Sequence, residues 1–77
     1  MKAEQLKELG FKLVDEYVHG DNDEFVTQVF RKGVLEIDLD FDKKTGKYLC
    51  NDLQIIDDQL SNISFKELKQ LDKILNK

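Results

Sequence analysis

Val34-Leu35-Glu36-Ile37-Asp38-Leu39-Asp40-Phe41-Asp42 alternates apolar and acidic residues without a break through the middle of the chain. Successive side chains of a strand point to opposite faces, so this spacing sets Leu35, Ile37, Leu39 and Phe41 toward a core and Glu36, Asp38 and Asp40 toward water. One buried face and one wet face is the pattern of an antiparallel sheet. The neighbours of this strand should therefore be strands of the same kind.

On its N-terminal side, Phe25 to Arg31 supplies β-branched and aromatic residues, and Arg31-Lys32-Gly33 separates the two runs. If Gly33 is the left-handed residue of a three-residue hairpin, Phe30 pairs with Val34, Val29 with Leu35, Thr27 with Ile37 and Phe25 with Leu39. That register buries Phe25 and Val29 and leaves Val26 and Phe30 among the carboxylates. A two-residue Lys32-Gly33 turn reverses the assignment, burying Val26 and Phe30 and exposing Phe25 and Val29. Both registers stand apolar side chains beside the acidic row.

On the other side, Asp42-Lys43-Lys44-Thr45-Gly46-Lys47 reads as a second hairpin loop, with Asp42 opening the turn and Gly46 suited to positive φ. Tyr48-Leu49-Cys50-Asn51 then reads as a further strand, with Tyr48 and Cys50 facing inward and Leu49 outward. Beyond Asp52 the pattern degrades, and Leu53 to Ile56 reads as a bend or short strand closed by Asp57-Asp58. Earlier in the chain, Phe11 to Val18 is strand-like with Phe11, Leu13 and Tyr17 on one face, and the polar stretch His19 to Glu24 is a loop.

Both ends carry helix signals. Ala3, Leu6 and Leu9 have helical spacing and stop at Gly10, which predicts a short helix over about residues 2 to 9. Ser64-Phe65-Lys66-Glu67 is a capping box, with Ile63 and Leu68 placed for a hydrophobic staple. Phe65, Leu68, Leu71, Ile74 and Leu75 form one apolar stripe, so a helix should run from about Phe65 to Asn76. The expected fold is a single α+β domain over residues 1–77, of order α-β-β-β-β-α. It is a four-stranded antiparallel meander with both helices on its apolar face, in two layers.

Size and charge narrow the function classes. At 77 residues the chain is one small domain, close to the size at which a single core is marginal. One cysteine excludes an internal disulfide, and the start Met1-Lys2-Ala3-Glu4-Gln5 has no apolar run, so a reducing cytoplasm is the expected setting. Residues 15 to 60 hold twelve Asp or Glu against five Lys or Arg, a balance of −7, whereas residues 61 to 77 balance at +2. A sheet this acidic points away from nucleic acid, whose binding needs a concentrated positive surface. No membrane partner is expected.

Each chemical motif fails at a decisive position. Asp38, Asp40 and Asp42 have the alternate spacing of a calcium loop, but Lys43 stands where the turn needs glycine and Leu49 where the closing bidentate Glu belongs. Asp21-Asn22-Asp23-Glu24 lacks the same two residues. Cys50 and His19 could be imagined as nucleophile and base, yet there is one of each and no third group to orient them. Zinc lacks its four ligands, and Gly10, Gly20, Gly33 and Gly46 are isolated and form no phosphate loop. No catalytic residue, cofactor or metal is expected, no small-molecule substrate is evident, and enzyme activity is the least supported class.

Leu6-Lys7-Glu8-Leu9-Gly10-Phe11, a strand meander, and Phe65-Lys66-Glu67-Leu68-Lys69-Gln70-Leu71 together resemble small uncharacterised proteins of low-GC bacteria and their phages or mobile elements. The resemblance implies the same fold and transfers no activity.

What remains is the outer face of the sheet. Glu36, Asp38 and Asp40 with Leu49 and one of the two apolar pairs, here taken as Val26 and Phe30, form the expected binding surface for a protein partner or a second copy. An acidic inhibitor that imitates nucleic-acid charge is the alternative, and RNA binding through Lys66, Lys69 and Lys73 a third reading.

Overall fold

The computed structural model, which describes residues 1–76, sets the alternating run at the centre of a five-stranded antiparallel sheet. In chain order the elements are α1 (Ala3–Glu8), β1 (Lys12–His19), β2 (Phe25–Lys32), β3 (Leu35–Asp42), β4 (Tyr48–Ile55), β5 (Asp58–Ser61) and α2 (Phe65–Leu75). Strands neighbour one another in sequence order, so every connection within the sheet is a hairpin.

The fifth strand corrects the expected four. The run that loses its pattern after Asp52 continues β4 unbroken to Ile55, which pairs with Asp58 across the two-residue turn Ile56-Asp57. No Gly or Asn marks that turn in the sequence. Ile56 takes the left-handed conformation itself, at φ 53°, a region that a β-branched side chain enters only under strain. Asp57-Asp58 thus bends and begins a strand where it was read as an end.

The β2–β3 register settles the open alternative. Lys32 pairs with Leu35 across a Gly33-Val34 turn, Phe30 with Ile37 and Val26 with Phe41. Directly opposed residues share a face, so Val26 and Phe30 join the core row and Phe25, Thr27, Val29 and Arg31 stand with the acids. This is the facing of the reversed register, reached through a turn one residue later than Lys32-Gly33. Gly33 supplies its left-handed residue at φ 57°.

Two bulges move further side chains. In β1 the pairing skips from Leu13–Phe30 to Asp15–Val29, which leaves Val14 extra and turns Asp15, Tyr17 and His19 to the outer face. Tyr17 therefore does not share the inward face of Leu13. Between β3 and β4, Asp40 pairs with Cys50 and Phe41 with Tyr48, leaving Leu49 as the extra residue. Tyr48 faces inward as expected, edge-on to Phe41 at 6.1 Å, but Cys50 goes out with Asp40.

Leu6 of α1 and Leu68 of α2 share one buried cluster with Phe11, Phe30, Leu35, Ile37, Leu39 and Leu53. Burying side chains of this size stabilises by about 1.5–3 kcal/mol each before ordering costs, so both helices are anchored by the sheet residues they cover. The Ser64 cap is formed as its sequence predicts: Ser64 Oγ accepts from the Glu67 amide at 3.1 Å, and Glu67 Oε1 from the Ser64 amide at 3.0 Å. Two polar ties complete the packing. Lys32 Nζ donates to the Leu9 carbonyl and to Asp72 Oδ2, both at 2.7 Å, while Asn76 Nδ2 donates to the Lys32 carbonyl at 2.8 Å. These bonds fasten the ends of both helices to the β2–β3 turn. At the other side of the core, buried Asn51 donates to the Tyr48 hydroxyl and exchanges hydrogen bonds with both backbone groups of Ile63.

Candidate functional site

The outer sheet face carries the candidate surface, and pairing fixes its rows. One row runs Asp15, Val29, Asp38, Asp52, Ser61 from β1 to β5. The next runs Tyr17, Thr27, Asp40, Cys50, and a third Lys12, Arg31, Glu36, Gln54, Gln59. Glu36, Asp38 and Asp40 are thus brought together as the alternation of β3 requires.

The three carboxylates are not equivalent. Glu36 Oε1 accepts from Arg31 Nη2 at 2.6 Å, an exposed ion pair. Asp40 accepts from Thr27 Oγ1 at 2.5 Å and from Cys50 Sγ at 3.2 Å. Among the described residues Asp38 meets neither a cation nor a side-chain donor, and it stands directly across from Asp52. Partial burial pushes the Asp38 carboxyl above its ordinary value, and the charges of Glu36, Asp40 and Asp52 push it further the same way. Like charges directly opposed across a sheet are destabilising.

The apolar company of the acids differs from the expected set. Phe30 is fully buried in the core and Val26 lies on the inner face, so neither stands among the carboxylates. Leu49 is half-exposed at the bulge. Val29 stands directly across from Asp38, and Tyr17, His19 and Phe25 also join the face, their rings following one another at centroid spacings of 5.6 Å. Alternation through Asp15, Tyr17 and His19 was a readable signal for two of them, concealed by the bulge at Val14. Asp52 carried no signal without the β4 register.

Thr27 links the aromatic and acidic parts. His19 Nε2 lies 2.7 Å from Thr27 Oγ1, and the Thr27 hydroxyl donates its hydrogen bond to Asp40 Oδ1. Because that hydroxyl has only one hydrogen, His19 must donate through Nε2. Cys50 and His19 therefore belong to one polar chain but do not touch as nucleophile and base. Burial first, then the Asp40 hydrogen bond and the charges of Asp40 and Asp52, push the Cys50 thiol up to about 11. A thiol so protonated is the opposite of an activated nucleophile.

Other places offer less. Asp42 is drawn from the calcium-like spacing into its own turn, where its Oδ1 accepts from the amides of Lys44 and Thr45 at 2.9 Å. Those bonds hold its carboxyl below the usual range. Among the described residues no group of three or more His, Cys, Asp or Glu could hold a metal ion. No described helix is long and apolar enough to cross a membrane. On the inner face an open groove of about 560 Å³ is lined by Met1, Ala3, Val26, Phe41 and Tyr48, which is where Val26 goes. Lys66, Lys69 and Lys73 are exposed on α2, and Lys69 Nζ lies 5.8 Å from the centre of the Phe65 ring. Comparison with known protein families, curated proteins and solved structures finds no match for this chain.

Proposed function

We propose that this domain is a protein-interaction module whose outer sheet face receives a partner presenting basic side chains. The observation that carries this reading is the opposed pair Asp38 and Asp52, flanked by Asp40 and Glu36 and without a cation between them. A fold this small gains nothing in stability from such an arrangement, and local violations of stabilising patterns concentrate where a surface serves binding. A lysine or arginine set between the two carboxylates relieves their repulsion, and the Tyr17 and Phe25 rings farther along the same face offer apolar area to the same partner. Occupation of a basic site on another protein, as by an inhibitor imitating nucleic acid, is one form of this interaction. The test is capture of the partner from the native host followed by titration calorimetry at several salt concentrations. Asp38→Lys and Asp52→Lys, each folded by circular dichroism, should weaken binding at least tenfold, and added salt should do the same. A partner bound equally well by both variants removes this face from the interaction.

A further inference from the structure

α2 presents a cationic stripe. Lys66, Lys69 and Lys73 are exposed on it, with Gln70 among them. Neither acid of the helix offsets them, because Glu67 turns back to cap the Ser64 amide and Asp72 is buried and paired with Lys32. Among the described residues none of the three lysines has a carboxylate within ion-pair distance. The outer sheet face carries the opposite excess. Asp15, Asp38 and Asp52 share one row and Asp40 stands in the next, and among the described residues none of the four meets a cation. The two surfaces lie on opposite sides of the molecule. Leu68 is buried in one cluster with Leu35, Ile37, Leu39 and Leu53 of the inner face, so Lys66 and Lys73, on the far side of the helix from Leu68, point away from the sheet.

We propose that this chain associates head to tail, the lysine stripe of α2 in one copy lying along the outer face of β3 and β4 in the next. The spacings agree. Four residues of helix from Lys69 to Lys73 advance about 6 Å, and two residues of strand from Asp38 to Asp40 advance about 6.8 Å. A helix laid along β3 therefore sets Lys73 at the opposed Asp38 and Asp52 while Lys69 reaches Asp40. The cation that relieves those carboxylates then comes from the chain itself.

Contact between two outer faces serves them less well. Arg31 is already held by Glu36 at 2.6 Å, and Lys12 is the one unpaired cation among the described residues of the three rows. Each face would bring four uncompensated aspartates to that single lysine, whereas α2 brings three lysines and no free acid. Because helix stripe and acidic face point in opposite directions, neither copy returns the contact it receives, and association runs on as an open chain. The charge of −4 on each chain works against approach, so the contact forms at high protein concentration.

The second copy as occupant rests on the outer-face reading of the proposed function, and the test separates the two. The full chain is followed by analytical ultracentrifugation from dilute solution to its solubility limit. Beside it run a face variant, Asp38→Lys with Asp52→Lys, and a helix variant, Lys69→Glu with Lys73→Glu, each checked for folding by circular dichroism. The mean mass of the parent should rise at least about twofold with concentration, and each variant alone should stay a monomer. The face variant is the sharper of the two, because its substitutions cancel the net charge of −4 and with it the general repulsion. An equimolar mixture of the variants should associate again, since the helix variant keeps the acidic face and the face variant keeps the lysines. A parent that stays monomeric, a face variant that still associates, or a mixture that does not recover overturns the head-to-tail contact. If the parent is monomeric and a partner captured from the host is still lost on Asp38→Lys, the outer face stands with a foreign partner. If the face variant still associates and still binds the captured partner, both readings fall. A monomeric parent whose α2 lysines bind duplex RNA gives the stripe to nucleic acid and overturns the second copy.

Discussion

Lys32→Met should unfold this domain more easily than any surface substitution, because it strands a buried carboxylate. Asp72 keeps only 7% of its surface exposed, and Lys32 Nζ is its cation at 2.7 Å. Removing one partner of a fully buried pair costs about 3–5 kcal/mol. Here the Lys32 side chain is 31% exposed, so water partly replaces it, and the Leu9 carbonyl loses the same donor. A loss of about 2–3 kcal/mol follows once water is allowed to take up part of that cost. Total stability for a chain of this length is about 4–11 kcal/mol. The single change therefore removes a large share, and the midpoint of thermal unfolding should fall by about 10 °C or more. Urea denaturation followed by circular dichroism gives the size, and Asp72→Asn in the Lys32→Met background gives the cause. The asparagine keeps an oxygen for Asn76 Nδ2, bonded at 3.0 Å, while removing the stranded charge. The double variant should recover at least about 1 kcal/mol relative to Lys32→Met alone. Strict additivity of the two changes, or a single-variant loss below about 0.5 kcal/mol, refutes the reasoning.

Four other outcomes are expected. Asp38→Asn should stabilise the fold at pH 7 by about 0.2–1 kcal/mol, since it ends a like-charge opposition, and the gain is read by urea denaturation. The raised Asp38 carboxyl takes up its proton in the folded state before it does so in the unfolded chain. Its unfavourable contribution is thus fully present above the folded value and is relieved as pH falls through it, so acidification should narrow the difference between Asp38→Asn and the parent. Ile56→Gly should gain about 1 kcal/mol by freeing the left-handed turn position, and no gain in thermal midpoint would deny the strain. Gly33→Ala should lose about 1–2 kcal/mol, because φ is 57° there and a Cβ runs into the Asn76 side chain. Cys50, pushed up to about 11, should react with iodoacetamide at pH 8 about 100-fold more slowly than a free cysteine, with Asp40→Asn restoring part of the rate.

The parts of this fold that were legible in the sequence are those set by strict periodicity or by a cap. Leu35, Ile37 and Leu39 are buried and their acidic neighbours outside because a strand has only two faces. The Ser64 cap and the stripe through Leu68 fixed α2 in the same way. What failed was everything downstream of an extra residue. One residue of slip exchanges the two faces of a strand, so the bulge at Val14 sent Tyr17 outward, and the extra Leu49 sent Cys50 outward. Neither bulge has a glycine to announce it. The same physics hid half of the candidate surface, since the Val14 bulge concealed the alternation of Tyr17 and His19 and Asp52 reaches the face only through the β4 register.

The bulges also explain why the surface is as it is. Without the Val14 bulge, β1 would turn Asp15, Tyr17 and His19 toward the helices, and the outer face would lose two of its three rings and the end of its acidic row. Without the second bulge, Leu49 would pair in place of Cys50 and Asp40 would lose its thiol donor. Each bulge costs ladder hydrogen bonds in a domain with little stability to lose. The return on both is gathered on one face, where Thr27 is 2% exposed and joins His19 to Asp40 while Asp38 stands unpaired beside them among the described residues. A sheet selected for stability alone would set a lysine across from Asp38 in place of Asp52, and the proposed interaction rests on that departure, since a cation brought by a partner would relieve the repulsion between the two carboxylates.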